Sequence, residues 1–258
     1  MVVDSDPVTV LGFGQFGRFV ARLLQRQVSA TLLCFIQSDE AIREVTRIIR
    51  NEVVIVVCDE NEPLALEFAA TQTSEMRSNG NYVLAVLREL RFAEDGHSSR
   101  VQMAGIFDAH VRVARRNSAS FSAVVVTDVA GMFSSAQLTS VDVSDVRSVW
   151  TPRTPLLCGI GYGSGKDRTN DAVRRALSSI SDTSEWSSTS AGMFVIVSGG
   201  RSLRLSETRK VTNRVRSMDV DEKVRCYLGT YLDDFHGHRV RVTLLAGCAL
   251  ADSKTPLI

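Results

Sequence analysis

The sequence predicts an α/β fold in two parts, and three observations lead to that prediction. The first half alternates apolar, strand-like runs with helix-like segments, beginning at Val8–Leu11. A glycine turn, Gly12-Phe13-Gly14-Gln15-Phe16-Gly17, joins that first strand to a helix, as in Rossmann-like nucleotide-binding domains. The second half, Leu156 to Ala249, contains four strand-like and two helix-like segments, which pack economically as two helices on one face of a four-stranded sheet.

Composition limits the class of protein. The chain has 258 residues, of which 44% are hydrophobic and 23% charged, with a net charge of +1, so it can bury a core and is unlike a disordered chain. No basic run with interleaved aromatic residues is present, so we predict no nucleic-acid partner. The five cysteines lack a C-x-x-C pair and the four histidines lack a metal-site spacing, so free thiols and no metal are expected. No signal-like segment precedes Val8 and no apolar run approaches ~18 residues, so we predict a cytoplasmic protein without a membrane span.

The glycine turn is the first candidate binding site. Glycine lets the backbone turn tightly and approach a phosphate, and the N-terminus of the next helix presents free N–H groups with a partial positive charge. We therefore assign Gly12, Gly14, Gln15 and Gly17 to nucleotide binding. The alternative is that the glycines serve only the packing of helix against strand. That helix is expected to bury one side, formed by Phe19, Val20, Leu23 and Leu24.

A second strand, Thr31–Ile36, ends at Gln37-Ser38-Asp39. In a Rossmann site an acid near this distance hydrogen-bonds the ribose, which makes Asp39 a further candidate for nucleotide binding. The alternative is a helix N-cap, a role that Ser38 or Asp39 can fill equally well.

The next strand, Glu52–Cys58, is so apolar that it is expected at the centre of the sheet with both faces covered. Asp59, Glu60 and Glu62 follow at its carboxyl end. Like charges ~4 Å apart repel by ~1 kcal/mol in bulk water and by more near a protein surface, so these acids oppose a triphosphate unless a metal intervenes. The acids either hold Mg²⁺ or form the solvated start of a helix, and we predict the second.

Further elements follow from apolar runs and their periodicity. In the first half we predict a strand at Asn81–Leu87, a helix at Val101–Arg116 with a solvated face at Arg112–Arg116, and a buried strand at Ser122–Val126. In the second half, helix Lys166–Ile180 carries an apolar stripe and a later helix carries Val211, Val215 and Met218. The first strand-like segment there is the apolar run that opens at Leu156 and passes into alternating glycines up to Gly165. The other strands are predicted at Met193–Val197, Cys226–Leu232 and Val240–Leu245.

The second half resembles the C-terminal domain of FtsZ, the prokaryotic tubulin homologue. Four stretches carry the resemblance: Gly159-Ile160-Gly161 with Gly163 to Arg168, Ala172 to Ser179, Val195 to Gly200, and Arg239 to Gly247. It implies an FtsZ-like fold with a degenerate GTPase domain at residues 1–137 and a C-terminal domain at 138–258. In such proteins an N-T-D motif contacts the nucleotide at the place of Gln37-Ser38-Asp39.

The segment Leu138–Val149 resembles the catalytic synergy loop of that family, N-x-D-x-x-D-V-R. The loop reaches into the next subunit of a filament and positions the water that attacks GTP. Asp142 and Asp145 match its two acids, whereas Ser140 replaces its asparagine, so the resemblance implies a catalytic role for the two aspartates. The alternative is a helix N-cap with an acidic first turn.

Two features depart from the family. The phosphate-binding signature G-G-G-T-G-T-G is replaced by the acid-rich Asp59–Glu67, and only Ala130–Ser140 is available for the long helix that joins the two domains. We therefore predict weak or absent GTPase activity in a protein that acts as assembly partner or regulator of an FtsZ-like filament, or self-associates head to tail. GTP or GDP is the expected cofactor if any nucleotide binds.

Two alternatives remain open. The first is an active filament protein that hydrolyses GTP across a head-to-tail interface. The second is an NAD-binding regulatory domain, because the turn Gly12–Gly17 also resembles that of the NAD-binding domains of potassium-channel regulators.

Overall fold

In the computed structural model, the described residues form a single ten-stranded sheet with helices on both faces. The structure describes residues 8–25, 33–36, 38–50, 52–88, 106–113, 118–133, 137–139, 141–150, 154–181, 192–217, 225–233 and 237–247. Seven residues named in the sequence analysis lie outside these ranges: Thr31, Gln37, Val101, Arg116, Ser140, Met218 and Ala249.

The elements are numbered in chain order within the described ranges. Strands β1 to β10 are Val8–Gly12, Leu33–Ile36, Val53–Asp59, Tyr82–Arg88, Ala109–Val113, Gln137–Thr139, Thr154–Gly163, Met193–Gly199, Cys226–Leu232 and Val240–Gly247. Helices α1 to α7 are Gly14–Gln25, Asp39–Ile48, Pro63–Ser78, Ser118–Gly131, Val143–Val149, Arg168–Ser181 and Leu205–Arg216.

The strand order is β2-β1-β3-β4-β5-β7-β10-β8-β9-β6. The first six strands in this order are parallel, β10 is antiparallel to both of its neighbours, and β8 and β9 are parallel. The carboxyl ends of these parallel strands meet at one edge of the sheet, so the ends of β1, β3 and β4 lie side by side. The amino ends of β4 and β7 lie at the opposite edge.

Helices cover the sheet in three groups. One core joins α1, α4 and α5 to a single face along most of the sheet. A second core places α2 and α3 on the other face of the first half, and a third places α6 and α7 on that face of the second half. Helix α4 therefore lies where the two halves meet.

The predicted fold class is confirmed. Strand β3 lies between β1 and β4 with all seven residues buried, as the apolar run Glu52–Cys58 predicted. In the second half, β7, β10, β8 and β9 are adjacent and carry α6 and α7, which is the predicted four-stranded sheet with two helices.

Four local predictions were wrong. The segment 109–113 is strand β5 within the predicted helix Val101–Arg116, and Ser122–Val126 lies within helix α4 rather than in a strand. The joining helix was expected within Ala130–Ser140, but α4, which lies where the two halves meet, begins at Ser118 and ends at Gly131. In α1, Phe19 is 55% exposed, because the buried side is formed by Phe16, Val20, Ala21 and Leu24.

Candidate functional site

The glycine turn between β1 and α1 is held by close backbone contacts. A Cβ atom on Gly12 would lie 2.6 Å from the carbonyl oxygen of Gly17, and one on Gly17 would lie 2.2 Å from that of Val57 in β3. The packing of α1 against the sheet therefore already requires both glycines. Gly14 is different in two ways. Its φ of +66° lies in the left-handed region that favours glycine, and the Glu62 carboxylate lies where a Cβ atom on Gly14 would be.

The N-terminus of α1 is occupied by a carboxylate from elsewhere in the chain. The backbone N–H of Gln15 donates to Glu62 Oε2 at 2.7 Å, and that of Phe16 donates to Glu62 Oε1 at 3.1 Å. The first turn of α1 has no acidic residue of its own. Glu62 thus occupies the position at which a helix N-terminus binds an anion.

The position of Glu62 is set by its own helix. Glu62 is the N-cap residue of α3, and Pro63 follows at the first helical position, where a missing N–H has no cost. The N–H of Glu62 donates to the carbonyl of Asp59 at 3.0 Å, which closes the turn after β3. This short connection points the Glu62 side chain at α1.

An open cleft of about 340 Å³ lies next to this carboxylate, between the starts of α1 and α3. Arg18 borders it and forms an ion pair with Asp39, with Nη2 and Oδ1 2.9 Å apart and both side chains well exposed. Ser38 is the N-cap of α2, accepting from the N–H of Ala41 at 3.2 Å. The structure therefore connects Asp39 to the glycine turn through Arg18, a residue that the sequence analysis did not single out.

The other two acids after β3 are buried and paired, so the predicted solvated helix start is wrong for them. Asp59 is 1% exposed and accepts from Arg88 Nε at 2.8 Å, while Glu60 is 9% exposed and accepts from Arg112 Nε at 3.0 Å. Burial raises the pKa of Asp59, but the hydrogen bonds from Arg88 and Asn61 outweigh it and hold that pKa below its ordinary value.

The partner arginines come from the next two strands of the sheet, β4 and β5. Arg88 ends β4 and Arg112 lies in β5, and the Arg88 guanidinium also lies 4.2 Å from the centre of the Phe16 ring. The sequence signal for this pairing was an arginine at or next to the carboxyl end of β4 and of β5, the two strands on one side of β3. It was missed because Arg112 was assigned to the solvated face of a helix.

Asp142 and Asp145 form the N-terminal cap of α5. Asp142 Oδ1 accepts from the N–H of Asp145 at 2.8 Å, and Asp145 Oδ2 accepts from the N–H of Asp142 at 3.1 Å, which is a reciprocal capping box. The hydroxyl of Ser144 also donates to Asp142 at 2.6 Å, and these hydrogen bonds hold the pKa of Asp142 below its ordinary value. The geometry is that of the N-cap alternative, and it leaves carboxylate oxygens at the surface.

The two candidate sites lie at opposite edges of the sheet. The side chain of Arg147 in α5 donates to the carbonyl of Gly80, and Tyr82 Oη donates to the carbonyl of Trp150 at 3.2 Å, so α5 lies near the amino end of β4. The glycine turn lies at the carboxyl end of β1. Within a single chain, Asp142 and Asp145 therefore do not lie close to Gly14 and Glu62.

Two general features of the described residues bear on function. Their His, Cys, Asp and Glu side chains form no group of three or more that could hold a metal ion. Within the same ranges, none of the helices has the length and apolar character needed to cross a bilayer.

Comparisons with known proteins agree with this architecture. Residues 156–249 match the family model for the C-terminal domain of the FtsZ family. The cell division protein FtsZ of Buchnera aphidicola subsp. Baizongia pistaciae is 30% identical over 121 residues, which cover 47% of this chain and 31% of that protein. FtsZ of Wolbachia pipientis is 29% identical over 109 residues, covering 42% and 34%. The matched region thus spans about a third of the length of these curated relatives.

Solved structures match over nearly the whole chain. The empty FtsZ dimer of M. jannaschii superimposes with a TM-score of 0.76 at 18% identity, covering 94% of this chain and 88% of that one. The GTPγS-form protofilament of TubZ from Bacillus thuringiensis serovar israelensis superimposes with a TM-score of 0.66 at 10% identity, covering 95% and 88%. These likenesses establish the fold. They show that the chain has the fold of FtsZ and TubZ, and residues 156–249 match the C-terminal domain of the FtsZ family.

Proposed function

We propose that this chain is an FtsZ-like cytoskeletal or cell-division protein whose nucleotide site is closed by its own Glu62, so that GTP binding and hydrolysis are reduced or lost. The observation that carries the proposal is the pair of hydrogen bonds from the N–H groups of Gln15 and Phe16 to the Glu62 carboxylate. A phosphate at the N-terminus of α1 would need the same donors. Nucleotide and Glu62 therefore compete for one position.

The surroundings of Glu62 strengthen this competition. A phosphate about 4 Å from the carboxylate is repelled by ~1 kcal/mol in water and by several-fold more near a protein surface, and every 1.4 kcal/mol lowers affinity tenfold. Arg88 and Arg112 do not offset the repulsion, because they are engaged by Asp59 and Glu60. The connection from β3 to α3 also lacks glycine, so it supplies no loop of N–H groups for further phosphates.

The opposite edge supports a role as assembly partner. Asp142 and Asp145 lie near the surface on α5, where they are available to the nucleotide of a neighbouring subunit, while the edge with Glu62 does not hold a nucleotide in return. Head-to-tail growth needs both halves of a heterologous interface, so a subunit competent at one end regulates a filament by capping it. We place the domain boundary at residues 137 and 138, which keeps α5 with the second half.

A second candidate function is nucleotide binding with Glu62 displaced. The open cleft beside Gly14 and Arg18 favours it, because a ligand entering there meets the glycine turn directly. GTP would make the chain an active filament protein, and NAD would make it a regulatory domain.

The proposal is tested by equilibrium binding of GTP, GDP, ATP and NAD, with and without Mg²⁺, to the wild type and to Glu62→Gln. We expect weak GTP binding by the wild type and a gain of roughly tenfold in the variant, because one like charge is removed. Glu67→Gln is the matched control, since Glu67 is exposed on the same helix. Gly14→Val is less suitable, because a φ of +66° strains valine whatever the ligand does.

Each outcome separates the candidates. Tight GTP binding by the wild type, with turnover lost in Asp142→Asn, would overturn the proposal in favour of an active GTPase. Tight NAD binding without preference for guanine would favour the regulatory domain. Equal gains in Glu62→Gln and Glu67→Gln would remove Glu62 from the mechanism.

Assembly is tested by co-sedimentation with an active FtsZ from the same cell in the presence of GTP. Wild type is compared with Asp142→Asn/Asp145→Asn, because asparagine keeps a helix cap while it removes both carboxylates. We expect the wild type to change polymer mass or GTP turnover and the double variant to lose that effect. No co-pelleting and no change at stoichiometric ratios would exclude the assembly role.

A further inference from the structure

Positive charge is concentrated on one surface of the second half, although the whole chain has a net charge of only +1. Residues 166–181 and 201–216, which form α6 and α7 with the turns before them, contain ten Lys or Arg and three Asp or Glu. The rest of the chain is therefore acidic on balance. We call the outer side of α6 and α7 the basic face.

The acids on this face are largely neutralised. Glu207 is held by Arg168, with Nε to Oε1 and Nη2 to Oε2 both at 2.7 Å, and the hydrogen bonds from Arg168 outweigh burial to keep the pKa of Glu207 below its ordinary value. Asp171 forms an ion pair with Arg174 at 2.6 Å. Arg168 and Arg174 therefore neutralise two of the three acids on the face.

Helix α7 supplies the centre of the basic face. Thr208, Val211 and Val215 are buried against the sheet, which turns the intervening positions outward. Four exposed cations occupy those positions, and none forms an ion pair with a carboxylate in the part of the chain that the structure describes: Arg209, Lys210, Arg214 and Arg216. Like charges four residues apart, as at Lys210 and Arg214, weaken a helix, so the cluster opposes the stability of α7.

We propose that the basic face binds an anionic phospholipid surface. Two helices packed side by side on a sheet form a broad platform, and Arg and Lys side chains are suited to headgroup phosphates. Leu205, 52% exposed at the start of α7, provides an apolar side chain at the border of the charge. Neither helix contains an aromatic residue, which base stacking in single-stranded nucleic acid would require.

The membrane affinity expected for one subunit is suited to a protein that forms polymers. Each Lys or Arg near an anionic bilayer contributes a factor of about five to partitioning, so four give weak to moderate binding for one subunit. Subunits joined in a polymer would bind together with much higher avidity. The inference does not depend on the state of the nucleotide site, because α7 belongs to a different surface from Glu62.

The test is co-sedimentation of the full chain with vesicles of phosphatidylcholine alone or mixed with phosphatidylglycerol in equal parts. We expect binding only to the anionic vesicles, weakened by added salt. The variant Arg209→Gln/Lys210→Gln/Arg214→Gln/Arg216→Gln should lose roughly 600-fold in partitioning, about fivefold for each charge. The matched control removes four exposed arginines elsewhere, by Arg22→Gln, Arg43→Gln, Arg47→Gln and Arg50→Gln, and should keep most of the binding.

Circular dichroism and thermal melting verify that both quadruple variants are folded. Equal binding to neutral and anionic vesicles would overturn the proposal, as would an equal loss in the control variant. Tighter binding to a single-stranded oligonucleotide than to anionic vesicles would replace the lipid surface with nucleic acid. If the α7 variant unfolds, the single changes Lys210→Gln and Arg214→Gln are used, each with an expected loss of about fivefold.

Discussion

Glu62 and Asp128 are two carboxylates that accept hydrogen bonds from distant parts of the chain, one beside an open cleft and one in the core. Glu62 accepts from two backbone N–H groups 46 and 47 residues away at the start of α1. Asp128, in α4, accepts from Tyr231 Oη at 2.6 Å and from Arg241 Nε at 3.1 Å, and Thr243 also donates to it. Both therefore join distant parts of the chain.

The difference lies in what surrounds each carboxylate. Asp128 is 1% exposed, and its partner Arg241 is 5% exposed, so neither charge reaches water when the other is removed. Glu62 borders an open cleft, where water or another anion can replace it. Asp128 consequently acts as a structural link between α4 and the second half of the sheet, whereas Glu62 fills a position that a ligand could take.

The largest effect is expected for Asp128→Asn. Removing one partner of a buried pair leaves an uncompensated charge on Arg241, which costs about 3–5 kcal/mol of unfolding free energy. Chemical denaturation measures this loss. Tyr231→Phe removes one hydrogen bond to Asp128 and one from Arg241 but leaves the two charges paired, so it should cost about 1–2 kcal/mol. A loss below that of Tyr231→Phe would show that the Asp128 cluster is not the link between the halves.

A smaller loss, of about 2 kcal/mol, is expected for Asp59→Asn, because Asp59 is buried but its partner Arg88 is partly exposed. The pH dependence has a definite sign. Since the folded-state pKa of Asp59 is lowered, its contribution is present above the unfolded value near 4 and is lost as the pH falls through the folded value. Denaturation at pH 7 and near pH 3 should show the difference between variant and wild type shrinking. A constant difference would contradict the pairing.

The Asp128 cluster also shows how far a sequence can predict structure. Strand β9 was predicted at the residues where it lies, Cys226–Leu232, because apolar runs and turns are local signals. Helix α4 was missed because Val124-Val125-Val126 favours a strand locally, whereas burial between the two halves selects a helix that is apolar all round. Asp128 was missed with it.

The candidate site shows the same limit. The glycine turn and the acids after β3 were recognised from their spacing, since each belongs to one short segment. The contact of Glu62 with α1 and the pairing of Asp59 and Glu60 with arginines depend on strand order, which no local pattern specifies. Repulsion of phosphate was therefore inferred from three acids, whereas the structure leaves only Glu62 without an arginine partner among those three in the described residues.

For Glu62→Gln we expect a loss of only about 0.3–1 kcal/mol, the usual contribution of a carboxylate at a helix N-terminus. Inorganic phosphate should restore the loss, because it can occupy the same N–H groups. The measurement is the melting temperature of wild type and variant with increasing phosphate, and the Glu67→Gln protein reports the non-specific effect of salt. Equal phosphate responses in all three proteins would mean that the N-terminus of α1 is not a usable anion site.

The smallest effect is expected at Asp142, where the cap is local and the side chain is exposed. Asp142→Asn should leave the melting temperature almost unchanged at neutral pH, because asparagine caps helices as well as aspartate does, and Asp142→Ala should lower it slightly by leaving the N–H of Asp145 without its acceptor. The lowered pKa of Asp142 means that its cap weakens only in acid, as the carboxyl group becomes protonated. Melting curves of the three proteins at pH 7 and pH 3 measure both effects.

If Asp142→Asn destabilises the chain as much as Asp128→Asn, the contrast between a buried carboxylate and an exposed one fails. If it leaves the fold intact and still abolishes the effect on a filament, Asp142 acts on the neighbouring subunit rather than on its own helix.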